Sequence, residues 1–155
     1  MSTFYGRLAI VTQKDPRKGT KMLRGFATVN FFADDLIAAR DWYASLFGID
    51  AYFQRPDEEN PAYIEFRVGD YEDELGIIDR RYAPHHQGSP GGAVVYWHVD
   101  DVAAAVKDLK SRGARELEPI VEREAGFITA SMVDPFGNIL GVMYNPHYLE
   151  ILAAR

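Results

Sequence analysis

The chain has no cysteine among its 155 residues. That excludes disulfides, thiolate metal ligands and a cysteine nucleophile at once. It also lacks any apolar run long enough to cross a bilayer as a helix, and its first residues hold no contiguous apolar stretch of the signal-peptide kind. A cytoplasmic protein is the resulting expectation. No basic stripe is present, and the net charge of -6 argues against a nucleic-acid partner. The only local basic excess (Lys14, Arg17, Lys18, Lys21, Arg24) reads as a solvated linker. Two common catalytic devices are missing as well. Gly88-Ser89-Pro90-Gly91-Gly92 precedes a strand, and Pro90 removes a donor from it, so it is no phosphate cradle. No serine stands in a nucleophile-elbow context.

What is present is a repeat. Ala33-Asp34-Asp35-Leu36 opens one apolar helical pattern and Val99-Asp100-Asp101-Val102 opens another, while Leu75-Gly76-Ile77 and Leu140-Gly141-Val142 close the two halves. Internal self-similarity of this length means two copies of one supersecondary unit. In each copy a β-rich run (Phe26–Phe32, Ala93–Val99) leads to a helix. Asp34 or Asp35 caps the first helix, which carries Leu36, Ala39, Tyr43, Leu46 and Phe47 and stops at Gly48. Val102, Val106 and Leu109 mark the second, which stops at Gly113. Three strands follow each helix: 51–54, 62–68 and 74–79, then 115–118, 127–133 and 139–144. A short closing helix is expected over 146–155. Each half is thus βαβββ. Residues 1–24 read as an appendage containing a possible strand over 4–12, and 25–155 as one domain. Within it repeat one spans about 25–80, a turn-rich connector 81–92, repeat two about 93–145 and a tail 146–155.

Two βαβββ units with Asp134-Pro135-Phe136-Gly137-Asn138 before the last strand resemble the vicinal-oxygen-chelate superfamily of glyoxalases, bleomycin-resistance proteins and extradiol dioxygenases. Asp35-Leu36 through Trp42-Tyr43 and Phe47-Gly48 add to the resemblance, which covers roughly residues 25–145. It implies an α+β fold, a curved mixed sheet with the helices on its convex face, and a pocket that commonly lies across a homodimer interface. A fold of this kind hosts several unrelated activities.

Metal-dependent members of the superfamily use four positions, usually His or Glu, on the first and last strands of each half, where the ion polarises adjacent substrate oxygens. The resemblance places them near Thr28, Gly76, Val94 and Gly141, none of which is His, Asp or Glu. Asp79 lies three places from Gly76, and 139–144 contains no carboxylate or imidazole. Divalent ions need several N or O donors, so the expectation is no metal and no cofactor. For the two glycines, close approach of a ligand and relief of crowding by an aromatic such as Tyr96 or Phe32 both stand.

Strand alternation assigns the faces. Val29, Phe31 and Ala33 pack on the helix, leaving Thr28, Asn30 and Phe32 toward the cleft. Val95, Trp97 and Val99 pack, leaving Val94, Tyr96 and His98. Ile64, Phe66 and Val68 pack, leaving Tyr63, Glu65 and Arg67. In the second half Thr129, Ser131, Gly141 and Met143 complete the cleft. Aromatic lining with scattered donors and acceptors suits a small-molecule ligand. The same spacings also describe ordinary core. His98 and Glu65 are the candidate catalytic groups, as acid–base partners. Against this, His98 can be satisfied by Asp100 or backbone, and Glu65 with Arg67 can be a solvated sheet edge. His85-His86 and His147 read as surface.

Two functions remain open. One is a metal-independent binding protein, resembling the bleomycin-resistance branch, that sequesters a hydrophobic or aromatic compound. The other is an enzyme, either a lyase or dioxygenase with a non-standard metal site or a metal-free catalyst using Glu65 and His98. A scaffold module that binds another protein through its exposed sheet is a third class.

Overall fold

A computed structural model describes residues 27–83 and 94–155. The expected appendage over 1–24, the strand over 4–12, His85-His86 and most of the connector lie outside the described residues. The order is β1 (Thr28–Ala33), α1 (Leu36–Phe47), β2 (Phe53–Arg55), β3 (Tyr63–Val68) and β4 (Asp73–Asp79), then β5 (Val95–His98), α2 (Val102–Ser111), β6 (Arg115–Glu122), β7 (Ile128–Val133), β8 (Ile139–Tyr144) and α3 (Pro146–Ala153). Each half is a βαβββ unit, and the fold is α+β as expected.

Hydrogen bonding divides the strands into two four-stranded sheets, β1-β4-β3-β2 and β5-β8-β7-β6. The first strand of each half runs parallel to the last, β1 with β4 and β5 with β8, and every other pairing is antiparallel. A parallel pair needs a crossover, and α1 and α2 supply it. Both helices start on an aspartate whose carboxylate accepts an N–H of the first turn: Asp35 from Ala38 and Asp101 from Ala104, each at 2.9 Å. The first stops at Gly48, whose φ of 69° is left-handed.

The buried stripes Leu36/Ala39/Tyr43 and Val102/Val106/Leu109 pack on Phe31, Ile64, Phe66, Leu75, Ile77, Ala130, Met132, Leu140 and Val142. The halves are stapled together by the turn before β8. Asp134 accepts the Tyr43 hydroxyl at 2.5 Å, and Asn138 exchanges two hydrogen bonds with the Phe32 backbone at 3.0 and 2.9 Å. Burial and then the Asp134 carboxylate hold the Tyr43 phenol well above its ordinary range.

β6 runs to Glu122, four residues beyond the sequence expectation, and passes through Pro119. A proline is tolerated there because β6 is an edge strand with register shifts on either side of Glu118. Two 3-10 turns, Arg80–Tyr82 and Glu124–Gly126, add to the expected elements.

Candidate functional site

The registers set the cleft residues in matching rows. On the first sheet Asn30, Gly76, Glu65 and Phe53 lie side by side. On the second, Tyr96, Gly141, Ser131 and Glu118 take the same places. The flanking rows are Thr28–Glu74–Arg67 and Phe32–Ile78–Tyr63–Arg55 in the first half, and His98–Met143–Thr129–Val121 in the second. All lie on the face opposite the helix-packed set.

Glu65 is the buried charge of this face, at 8% exposure. One carboxylate oxygen accepts the Tyr52 hydroxyl and the other the Tyr63 hydroxyl. Burial first, and then the bond to Glu65, push the Tyr63 phenol upward. For Tyr52 the bond to Glu65 is the leading cause of a rise. The Arg67 guanidinium lies 4.2 Å from the Tyr52 ring centroid and 3.6 Å from Glu74, and Glu74 in turn accepts the Thr28 hydroxyl at 3.2 Å. A connected polar strip therefore crosses the first sheet from Thr28 to Tyr63.

The second half is built differently. Ser131 is fully buried and donates to Glu118 at 3.1 Å, and the Thr129 hydroxyl accepts Arg123 at 3.1 Å. His98 is occupied: its Nδ1 accepts the Asn145 N–H at 3.1 Å and its ring stacks on Tyr148 with centroids 4.5 Å apart. Nε2 lies 3.5 Å from an Asp100 oxygen and has no hydrogen-bond partner among the described residues. Met143 is half-buried beside it, and Val94 and Tyr96 are exposed. His147 is exposed, 3.8 Å from Glu150.

Thr28 and Tyr96 meet, with Glu74 and Trp97, around a cavity of about 210 Å3 where the halves adjoin. A more open depression of about 440 Å3 is lined by Tyr63, Ile78, Arg55 and Tyr82. Glu65 and His98 belong to different sheets, each with its own partners. Sequence reasoning missed Tyr52, Glu74 and Arg55. Carrying the alternation two residues back from Gly76 finds Glu74, pairing the 51–54 run with 62–68 finds Tyr52, and extending that run by one residue finds Arg55.

The two glycines are crowded. A Cβ on Gly76 would stand 2.2 Å from Asn30 Oδ1 and 2.9 Å from the Tyr63 ring, and one on Gly141 would stand 2.6 Å from the Tyr96 ring. The residues do not fit a divalent ion at the superfamily's four positions. Gly76 and Gly141 offer no donor and their side-chain space is filled, the Thr28 hydroxyl is bound to Glu74, and Val94 is apolar. Asp79 points to the helix-packed face and chelates Arg81, whose nearest contact is 2.6 Å. Among the described residues no group of three or more His, Asp or Glu is placed to hold a metal.

The family model for the Glyoxalase/Bleomycin resistance protein/Dioxygenase superfamily matches residues 25–142. No curated protein matches the chain. Among solved structures, a glyoxalase-related enzyme from Fulvimarina pelagi is 22% identical with a TM-score of 0.63, covering 80% of this chain and 90% of its own. A superfamily member from Sphaerobacter thermophilus is 17% identical with a TM-score of 0.61, covering 80% and 99%. TioX from Micromonospora sp. ML1 is 17% identical with a TM-score of 0.59, covering 77% and 98%. At these identities the structural likeness speaks for the fold alone.

Proposed function

The chain belongs to the Glyoxalase/Bleomycin resistance protein/Dioxygenase superfamily, and from that premise we propose that it is a metal-independent small-molecule binding protein. It holds a hydrophobic or aromatic compound against the sheet faces opposite the helices. The observation that carries this reading is the filling of the glycine positions: Asn30 and Tyr63 close over Gly76, and Tyr96 over Gly141. Aromatic rings thus stand where metal-dependent relatives present ligands. Apolar walls with a few orienting polar groups are the ordinary composition of a small-molecule site.

The polar strip narrows the ligand. Both the Tyr52 and Tyr63 protons are given to Glu65; the Tyr52 oxygen also accepts Arg67 at 3.4 Å, so the Tyr63 oxygen is the acceptor that faces a ligand. A flat ligand carrying N–H or O–H donors is favoured, and the net charge of -6 favours a cationic one at long range. The enzyme reading built on Glu65 and His98 has less support, because the carboxylate is held by two tyrosines and the imidazole by Asn145. The protein is read as a cytoplasmic homodimer, with the exposed Phe53, Leu117 and Ile120 available to a second copy. Among the described residues no helix is long and apolar enough to cross a membrane.

The test starts with elemental analysis, followed by thermal-shift titrations of Ni, Zn, Fe(II) and Mn and then of an aromatic-amine library. Saturable stabilisation by an aromatic compound without a bound metal is the expected result. Tyr63→Ala should weaken that binding about tenfold or more, and Ser131→Ala much less. Stoichiometric metal, or turnover of a hemithioacetal or catechol, would overturn the reading.

A further inference from the structure

The polar side chains on the cleft face of the first sheet are mostly spent on one another. Thr28 is bound to Glu74, Glu74 to Arg67, and Arg67 through Tyr52 to Glu65 and Tyr63. Asn30 stands outside this chain. It lies on the same face of β1 as Thr28, in the row of Gly76 and Glu65, and it is exposed. Its side-chain amide has no hydrogen-bond partner among the described residues. Arg55, the other polar group of the face outside the chain, sits three strands away on the edge strand β2.

The place of the Asn30 amide is nonetheless fixed by the strand beside it. Residue 76 has no side chain, and the amide oxygen of Asn30 rests in the space that a Cβ would take. The Tyr63 hydroxyl oxygen is 3.0 Å from the same point, with its proton given to Glu65. At the matching position of the second half stands Tyr96, whose ring takes the space at Gly141. Thr28, one step along the face from Asn30, lines the junction cavity together with Tyr96. Such a step along a strand is only about 7 Å, so the amide lies within the span of a two-ring compound held against Tyr96.

A carboxamide presents N–H donors and carbonyl lone pairs side by side in one plane. Its complement is an edge with a donor beside an acceptor, the pattern by which asparagine pairs at two points with a base edge. An ammonium group would leave the amide nitrogen unpaired, and an ether or ketone would leave the oxygen unpaired. We propose that Asn30 is the specificity-determining residue of the cleft, and that it selects planar compounds with a cyclic-amide edge, an N–H next to a C=O. The inference rests on the binding reading above and narrows it to that edge.

The probes are 2-quinolone, which carries the edge, and 2-methoxyquinoline, which keeps the rings and lacks the N–H. Calorimetric titration into the full chain should show 2-quinolone binding about tenfold or more tightly. Asn30→Ala should bring 2-quinolone down to the level of 2-methoxyquinoline. Asn30→Asp replaces the amide donors with a second acceptor. It should lose 2-quinolone and bind the 2-aminoquinolinium cation, two donors on the same rings, about tenfold more tightly than the unsubstituted chain does. A gain of affinity cannot come from a variant that fails to fold, and the comparison of the first two probes needs no variant. Equal affinity for 2-quinolone and 2-methoxyquinoline, or a preference that survives Asn30→Ala, would overturn the assignment of Asn30 and leave the binding reading standing. No saturable binding of these probes or of the aromatic-amine library would overturn both.

Discussion

The two halves share a backbone plan and differ in where they keep their charge. In the first, the carboxylate of the glycine row stands on the middle strand as Glu65, buried between Tyr52 and Tyr63. In the second, the middle strand carries Ser131, and the carboxylate, Glu118, has moved to the edge strand, where it is exposed. A buried carboxylate demands donors, and the first half supplies two phenols. An exposed one is served by water and a single serine. The two copies therefore share a scaffold, and the buried carboxylate of the cleft face stands in the first. That asymmetry is why the proposed ligand recognition is assigned mainly to the first sheet.

The turns before the last strands are unequal in the opposite sense. Asp134 is 3% exposed and accepts from Tyr43, from the Phe136 and Asn138 backbone and from the Asn138 side chain. Its counterpart in the first half, the Gly69-Asp70 turn, is exposed, and among the described residues the Asp70 side chain accepts the Tyr148 hydroxyl alone, at 2.7 Å. Asp134→Ala would strand several buried donors, so it should destabilise by about 4 kcal/mol, against about 0.5 kcal/mol for Asp70→Ala. Urea unfolding of both variants measures the contrast. Equal losses would mean that the turn does not staple the halves.

The glycines sharpen the comparison at the cleft. Gly76→Ala must displace Asn30 and a Tyr63 ring that Glu65 holds in place, so a loss of about 2 kcal/mol is expected. At Gly141 the nearest atoms to an added Cβ all belong to Tyr96, which is 38% exposed and can swing outward, so Gly141→Ala should cost about 1 kcal/mol. Removing the obstacle tests the cause: Tyr96→Ala combined with Gly141→Ala should recover the loss due to Gly141→Ala. If it does not, the strand itself rejects a side chain there.

Much of this plan was legible in the sequence. Repeated Asp-Asp caps, helical spacing and period-two strands gave both βαβββ units, because local propensity and burial agree along those segments. Pro119 hid the second half of β6, since tolerance of proline depends on being an edge strand, which only the assembled sheet decides. Of the two readings left open for the glycines, crowding by a neighbouring aromatic matches Tyr96 over Gly141, whereas at Gly76 the neighbours are Asn30 and Tyr63 rather than Phe32. The pairing of Tyr52 with Glu65 needed the β2–β3 register, which no single-strand pattern carries.

Alkaline pH probes the same asymmetry with the smallest effect. The Tyr63 phenol is raised above its ordinary 10.0 by burial and by Glu65, and Tyr52 is raised chiefly by Glu65. Below about pH 10 folded and unfolded chains both keep these protons, and the stabilisation is fully present. As the pH climbs further the unfolded chain ionises first, so stability falls until the folded phenols follow. Glu65→Gln removes the charge that resists phenolate formation but leaves the burial of Tyr63. Near-ultraviolet titration should then show tyrosine ionisation beginning at lower pH, with Tyr63 still above the ordinary range, and Ser131→Ala should leave the curve unchanged. An unchanged curve in Glu65→Gln would show that burial alone holds Tyr63 neutral, and the first sheet's polar strip would then lose its centre.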